Sequence, residues 1–507
     1  MSTDVAPRLA KNSAFYAIKS VVALAALLLI TPYILNTIGK DQYGIWALAG
    51  VLTAYTQLSD FGISEGVIKY AAEFHADRDY PNLNRLVNTS FVFLLILAIS
   101  VGIILFFLLP VITGELLKIP VLFQAEALFI FRMSVLIFLF NVLLGIFSSL
   151  VISSQKIGYT CSINVTTVFV GFSATIFFLH NGWGLRSLIA TNAVVAFVTG
   201  LLNITVAFRL FPELQINLSK WVDRQMFRQI FNYSWKVQTT SISQIMIFQV
   251  DRIFLSRYLG LEAVAYYEIG SNMAFYVKTF LVALFTPIVP AASELQAKNE
   301  HAMICGLYRR SFKFMVMLSV PFCLLVIALA DPFIKFWMGD GFALSALTLQ
   351  LLIPAYLVSV LTVPGIFILN GTDRPDVAMR TALFAGTLNL LLCFVLLKTV
   401  GYFGLIAGIT VSIVASAGYF AYMLHRVLPE LEWGIYRKTL FMPVLFSAPL
   451  VLLLYYLDRV WSLANFTSLL MASTVYLTVI VMLLLKTSYL DDFERKIFGG
   501  IFLLRQR

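Results

Sequence analysis

Apolar stretches of about 20 residues or more, broken by short polar, glycine or proline punctuation, recur along nearly the whole 507-residue chain. They fall at about 13–35, 44–68, 86–109, 121–152, 157–179 and 185–208. After a polar stretch they resume at about 233–256, 263–292, 311–330, 343–370, 377–397 and 403–424, then at 440–457 and 464–485. A helix needs about 20 such residues to cross the hydrocarbon core of a bilayer. The pattern therefore predicts an all-α polytopic membrane protein of about fourteen transmembrane helices, grouped six, six and two. The implied organisation is an N-lobe over 1–208, an interfacial linker over 209–232, a C-lobe over 233–425, two further helices over 426–486 and an amphipathic tail over 487–507. Arg8 and Lys11 precede the first run as in a signal peptide, and Ala23-Leu24-Ala25 is a nominal cleavage site. The run continues to Leu35, so an uncleaved first span is expected.

Composition agrees: 60% of residues are hydrophobic and 12% are charged, against about 25% charged in a soluble protein. A soluble enzyme, a disordered chain and a disulfide scaffold are excluded on this ground. The net charge of +10 would suggest nucleic acid as a partner, but the placement of the basic residues argues otherwise. The amino tail and alternate connections carry 24 of the 36 Lys and Arg, the opposite connections carry 7, and the rest lie within spans. Basic residues concentrate on the cytoplasmic side of membrane proteins, so both termini are expected in the cytoplasm, without a nucleic-acid partner. Two cytoplasmic stretches place apolar residues at helical spacing beside basic ones: Val222, Met226 and Ile230 with Arg224 and Arg228, and Phe493, Ile497 and Ile501 with Arg495 and Lys496. Both are expected to lie on an anionic leaflet.

The connections on the other side are short, and no GxxxxGK[ST], HExxH, GxSxG or GxGxxG motif occurs. His75, His180, His301 and His425 are scattered. Cys161, Cys323 and Cys393 lie in apolar runs, and Cys305 is read as lying in a polar loop, all four as inert residues. No cofactor, metal site or catalytic residue is expected. Without a nucleotide site, gradient-coupled or passive transport is the class left open.

The six-span blocks read as copies. At an offset of 221 residues, Ile38-Gly39-Lys40-Asp41 lies over Leu259-Gly260-Leu261-Glu262, Tyr55 over Tyr276 and Glu73 over Glu294. Leu86, Ser90, Phe91 and Phe93 fall over Leu307, Ser311, Phe312 and Phe314. Because six is even, copies share one orientation and relate by a pseudo-twofold along the membrane normal, with a central site between them.

Ionisable groups inside spans cost about 2.5–3.5 kcal/mol each on insertion scales and normally face a bundle interior or a wet cavity. Lys19 and Lys236, near the cytoplasmic ends of the first and seventh spans, converge near one mouth if the halves face each other, or else snorkel to the leaflet. Lys278 lies near the middle of its span, which leaves cavity lining or a buried ion pair. Arg132 is similar but shallower. These four are the candidate substrate-binding residues. Asp60, Asp251, Arg252 and Glu268 are candidates for coupling or gating: Asp60 as a proton carrier or a partner for Lys278, the other three as a mutual salt-bridge gate or as interfacially solvated charges. Glu65 and Lys69 are expected to pair at i,i+4. Pro287, Pro290, Pro354 and Pro364 mark bending points or kinks. An excess of cations in a membrane cavity implies an anionic cargo, phosphorylated or pyrophosphorylated, because charge-assisted hydrogen bonds gain strength where water is scarce.

Thr31-Pro32-Tyr33-Ile34-Leu35, followed by Ile38-Gly39 and Tyr43-Gly44, then Leu58-Ser59-Asp60-Phe61-Gly62-Ile63, carry a resemblance reinforced by Gln249-Val250-Asp251-Arg252-Ile253-Phe254-Leu255 and Leu259-Gly260. In these segments the chain resembles polysaccharide flippases of O-antigen type, the Wzx family of the multidrug/oligosaccharidyl-lipid/polysaccharide exporter superfamily. The resemblance implies two six-helix lobes around a central cleft, alternating access, and a bacterial inner-membrane location. It implies a cargo of oligosaccharide on undecaprenyl pyrophosphate, moved from the cytoplasmic to the periplasmic leaflet, and association with other polysaccharide-assembly membrane proteins. Asp60 and Asp251 match its second-span and seventh-span patterns. A cation-coupled multidrug exporter of the same superfamily and a membrane polymerase or ligase are the competing readings.

Overall fold

The computed structural model describes residues 5–56, 60–217, 223–232, 234, 238, 249–298, 300–372, 374–461, 463, 465–487 and 489, with the side chains of 5–21, 23, 55, 56, 157 and 290 excepted. Regular structure among them is entirely helical. In chain order the helices are α1 (Val5–Thr56), α2 (Ile63–Ala76), α3 (Tyr80–Val111), α4 (Val121–Ser153), α5 (Ile157–His180) and α6 (Arg186–Leu210). They continue with α7 (224–232), α8 (Val250–Leu259), α9 (Leu261–Ala283), α10 (Ile288–Ala297) and α11 (His301–Met338). Last come α12 (Ala343–Gly371), α13 (Pro375–Val400), α14 (Tyr402–Val427), α15 (Gly434–Trp461) and α16 (Phe466–Lys486).

Among the described residues, ten helices are long and apolar enough to cross a membrane. They match the third to sixth and ninth to fourteenth predicted spans. Of the other four predicted spans, the first lies within α1, the seventh falls largely outside the described residues, and the second and eighth are interrupted. α1 kinks at Gly39 (φ 78, ψ 172), between the first and second spans, and the second span is broken by a turn at Asp60-Phe61-Gly62 before α2. The eighth is divided by a turn at 284–287, with Pro287 capping α10. Pro354 and Pro364, by contrast, lie within the single helix α12.

Left-handed backbone recurs at the repeat offset. Gly39 and Gly260, 221 residues apart, both have positive φ, as do Lys118 and Gly339 at the same separation. Gly182 and Gly401, 219 apart, do likewise. A positive φ is costly for any residue with a Cβ, so these shared corners are independent support for the duplication read in the side chains.

The chain divides into two compact units, the first comprising residues 1–268 and 382–408, the second 269–381 and 409–507. The core of the first is built from Ile63 and Val67 of α2, Leu83 and Leu86 of α3, Ile146 and Leu150 of α4, and Phe211 beyond α6. Met226 and Ile230 of α7 are buried in this same core. Their apolar stripe, expected to face a leaflet, packs instead against the protein, while Arg224 and Arg228 remain exposed. Val222 and the 493–501 stretch lie outside the described residues. The segment joining α6 to α7 is fixed by an amide ladder on α3. Asn84 and Asn88 each bond the backbone of 213–217 in both directions, through Glu213 O, Gln215 N, Gln215 O and Asn217 N. Thr89 accepts from Asp223 N. Side-chain amides thus take the backbone donors and acceptors of a segment that lies outside any helix.

In the second unit, α11 is central: Tyr308, Phe312 and Val316 pack with Ile368 of α12 and Phe420 of α14. Further along, Leu325 and Leu329 pack with Leu454 of α15 and Tyr476 of α16. Cys305 is not in a loop but within α11, in this core. Lys69, finally, pairs with Glu73 at 4.0 Å rather than with Glu65. Glu65 sits in the first turn of α2, where the helix dipole favours a negative charge.

Candidate functional site

In the first unit, helix breaks bring polar groups together at the end whose connections the basic-residue distribution assigns to the outside, called the outer end below. Gly39 and Gly260 each restart a helix there, so Lys40 opens the second part of α1 and Glu262 the first turn of α9. Lys40 Nζ lies 3.2 Å from Glu262 Oε1 and donates to the Tyr266 hydroxyl, which in turn donates to Glu262 at 2.8 Å. The bond to Tyr266, reinforced by Glu262, raises the Lys40 pKa above 10.5. The bonds from Tyr266 and then Lys40 lower that of Glu262 below 4.5. A raised lysine keeps the contact until pH climbs past its folded value, and a lowered carboxylate keeps it until pH falls past its own. The triad is therefore intact across the whole range from about 5 to 10.

The same end is closed tightly by backbone. A Cβ on Gly44 would stand 2.3 Å from Leu261 O, which only glycine permits. Ser256 at the end of α8 donates to Leu117 O at 2.7 Å, and Arg257 bonds the carbonyls of Glu115 and Leu116. Those carbonyls end a π-helical turn over Ile112–Leu116; a cation suits such a terminus. At the opposite end of the unit, Gly62 and Gly66 of α2 admit Ser234 and Ile230. Added Cβ atoms there would stand 2.6 Å from Ser234 O and Ser234 Oγ respectively.

About 12 Å below Gly260 at 1.5 Å rise per residue, α8 and α9 share a buried polar cluster. Arg252 is 8% exposed; it contacts the Glu268 carboxylate and donates to Gln249 Oε1 at 2.8 Å. Asp251, 2% exposed, accepts a hydrogen bond on Oδ2 from the Tyr267 hydroxyl. The structure thus brings together Asp251, Arg252 and Glu268 from the predicted gating set. Asp60 is elsewhere: its Oδ1 accepts from Gly62 N at 2.9 Å, holding the turn that starts α2.

Arg132 on α4 stands apart from this cluster. Its guanidinium lies 4.9 Å from the Phe106 ring centroid, and among the described residues it has no carboxylate partner. Its Nε is buried without a hydrogen bond. In the second unit, close approach of α9 and α12 at Gly270, where a Cβ would meet Ser345 O at 2.5 Å, fixes the spacing of the pair. Further along the same two helices, Lys278 reaches the face of Tyr356, with Nζ 5.6 Å from the ring centroid. The side chain of Lys19, on α1, and the whole of Lys236 lie outside the described residues.

The outer triad and the glycine contacts were not singled out from the sequence. The signal was present: Lys40 and Glu262 are neighbours within the repeat motif that Gly39 and Gly260 anchor, and Gly62 and Gly66 form a GxxxG spacing of the kind that lets membrane helices touch.

Solved structures share this helical fold. A multidrug resistance MATE family transporter of the MOP superfamily, in an inward-facing conformation, superposes with a TM-score of 0.71 at 12% identity, covering 81% of this chain and 98% of that one. The lipid II flippase MurJ in an inward closed conformation superposes at 0.74 and 11% identity, covering 93% and 97%. Residues 37–346 match the family model described as polysaccharide biosynthesis protein, and the chain belongs to that family. A Shigella flexneri protein named as an O-antigen transporter is 20% identical over 66% of this chain and 78% of its own length. A Haloferax volcanii protein named as a low-salt glycan biosynthesis flippase is 23% identical over 35% and 38%. The resemblance drawn from residues 31–63 and 249–260 is borne out by these matches.

Proposed function

We propose that the protein is a flippase that moves undecaprenyl-pyrophosphate-linked oligosaccharide from the cytoplasmic to the periplasmic leaflet of a bacterial inner membrane, by alternating access. In this reading the two six-helix lobes enclose a cationic passage in which Lys19, Lys236, Lys278 and Arg132 meet the pyrophosphate. The sugars travel with it and the polyprenyl tail remains in lipid. Both termini are cytoplasmic, and the other membrane proteins of polysaccharide assembly are its natural partners.

Family membership and the names of the relatives support a polysaccharide precursor as cargo. The observation that carries the anionic part of the reading is Arg132: a half-buried guanidinium in a membrane helix with no carboxylate among the described residues. An uncompensated cation at that depth is costly, and an oxyanion passing it gains a charge-assisted hydrogen bond. A drug exporter with cationic substrates would be opposed by the same charge.

The experiment is removal of the protein from cells that make the polymer. Expected are loss of surface polysaccharide and accumulation of the lipid-linked oligosaccharide, recovered by extraction from the membrane. Unchanged polymer with increased sensitivity to cationic drugs would support the exporter instead.

A further inference from the structure

We infer that the outer end of the first unit binds the headgroup of an anionic phospholipid, through Arg257 and Tyr258 of α8 and Lys398 of α13. All three belong to the same compact unit. None is among the residues assigned to the cargo, so the inference stands beside the transport reading and does not depend on it. Lys398 Nζ lies 4.1 Å from the ring centroid of Phe394 and 5.9 Å from that of Tyr258. The Arg257 guanidinium lies 6.0 Å from the same Tyr258 centroid. Phe254 of α8 packs against Phe394 at 5.9 Å, so the two helices meet directly beneath the two cations.

Neither cation has a carboxylate partner among the described residues. Arg257 bonds the Glu115 and Leu116 carbonyls through Nη1 alone. That contact fixes the guanidinium and leaves Nε and Nη2 to donate elsewhere. Of the acids closest along the chain, Glu262 is engaged by Lys40 and Tyr266, and Glu115 forms no ion pair with either cation. Lys118 is exposed and follows Leu117, whose carbonyl accepts from Ser256 next to Arg257. Basic residues are scarce on the outer connections, seven in the whole chain, yet three of them gather here. The result is a positive patch with spare donors and no acid to neutralise it.

The chemistry of the occupant follows from what lies beneath the charges. The outward stripe of α13 is apolar: Phe384, Leu391, Phe394 and Val395 are 42%, 60%, 40% and 52% exposed. From Phe384 to Lys398 the helix rises about 21 Å, more than the roughly 15 Å of one hydrocarbon leaflet. A stripe of this kind fits an acyl chain, and a water-filled face would carry polar residues. Inorganic phosphate would use the cations and waste the stripe. A zwitterionic lipid brings a cation of its own, which Arg257 and Lys398 oppose. A phosphodiester with net negative charge on a hydrocarbon tail satisfies both parts, with charge-assisted hydrogen bonds at its head.

The test uses the full-length protein in phosphatidylcholine vesicles containing a trace of phosphatidylglycerol with a photoactivatable acyl chain. After irradiation, probe attached to residues 384–398 is quantified by mass spectrometry. Attachment is expected to exceed severalfold that of the matching phosphatidylcholine probe, and to be displaced by unlabelled phosphatidylglycerol. Lys398→Gln is expected to lower it about fivefold, the equivalent of about 1 kcal/mol for one basic residue at an anionic lipid surface. Lys398→Arg retains it, and adding Arg257→Gln to Lys398→Gln brings it down to the phosphatidylcholine level. Lys398 is exposed and makes no hydrogen bond among the described residues, so its replacement leaves the packing as it is. Equal attachment of the two probes, or attachment unchanged in Lys398→Gln, overturns the proposal. So does displacement by undecaprenyl pyrophosphate where phosphatidylglycerol displaces nothing, which would give the site to a polyprenyl pyrophosphate instead. The readout involves no flipping, so its failure is distinct from failure of the transport reading.

Discussion

Lys278→Ala is expected to abolish surface polysaccharide while leaving the amount of protein in the membrane unchanged, and Lys278→Arg to retain part of the activity. Lys278 lies in α9 five residues before its end at Ala283, half-buried, over the Tyr356 ring at 5.6 Å. A lysine over an aromatic face gains about 0.5–2 kcal/mol from it, less than the cost of placing the charge in the membrane. In the proposed reading its charge meets the pyrophosphate. Alanine removes the charge and leaves the α9–α12 packing at Gly270 intact, so folding is preserved. Arginine restores the charge with a different reach. Polymer on the cell surface and protein in the membrane, measured together by immunoblot, decide it; normal polymer from the alanine variant removes Lys278 from the site.

Glu268→Ala has the opposite signature, loss of the protein itself. Arg252 and Glu268 have side chains 9% and 14% exposed and are in direct contact. Removing one member of such a pair leaves a buried charge uncompensated, at about 3–5 kcal/mol, a large part of the stability of most proteins. Replacing both by leucine removes the need for compensation and is expected to recover most of the loss. The measurement is membrane abundance and the unfolding temperature in detergent. A single variant as stable as the parent, or a double variant no better than the single, contradicts the buried-pair description.

The course of the chain was largely legible in its apolar periodicity, because a span must be long and apolar whatever it packs against. The ten helices found correspond to predicted spans, and the corner glycines 39 and 260 were visible as repeat positions. What periodicity could not show is where a span breaks. Asp60 read as a mid-span charge because its flanks are apolar, yet it holds a turn through Gly62 N. The α7 stripe read as leaflet-facing because amphipathicity gives an apolar face without saying what covers it; Met226 and Ile230 are covered by α2 and α3. Lys69 had two acidic neighbours at helical spacing, Glu65 and Glu73, and choice between them depends on side-chain direction. Of the candidate site, the cluster of Asp251, Arg252 and Glu268 was legible because i,i+1 and helix-hairpin proximity are local. The outer triad was not, since it joins residues more than 200 positions apart.

The central claim is that membrane-embedded cations carry a pyrophosphate-linked saccharide across the bilayer. It is tested most directly with the purified protein in vesicles containing a fluorescent undecaprenyl-pyrophosphate oligosaccharide, by following how fast the labelled headgroup exchanges between leaflets as read by an external quencher. The account predicts exchange well above that of protein-free vesicles and slowed at least about tenfold by Lys278→Ala, the equivalent of one lost charge-assisted hydrogen bond. Exchange no faster than in protein-free vesicles, or equal in parent and variant, would contradict it.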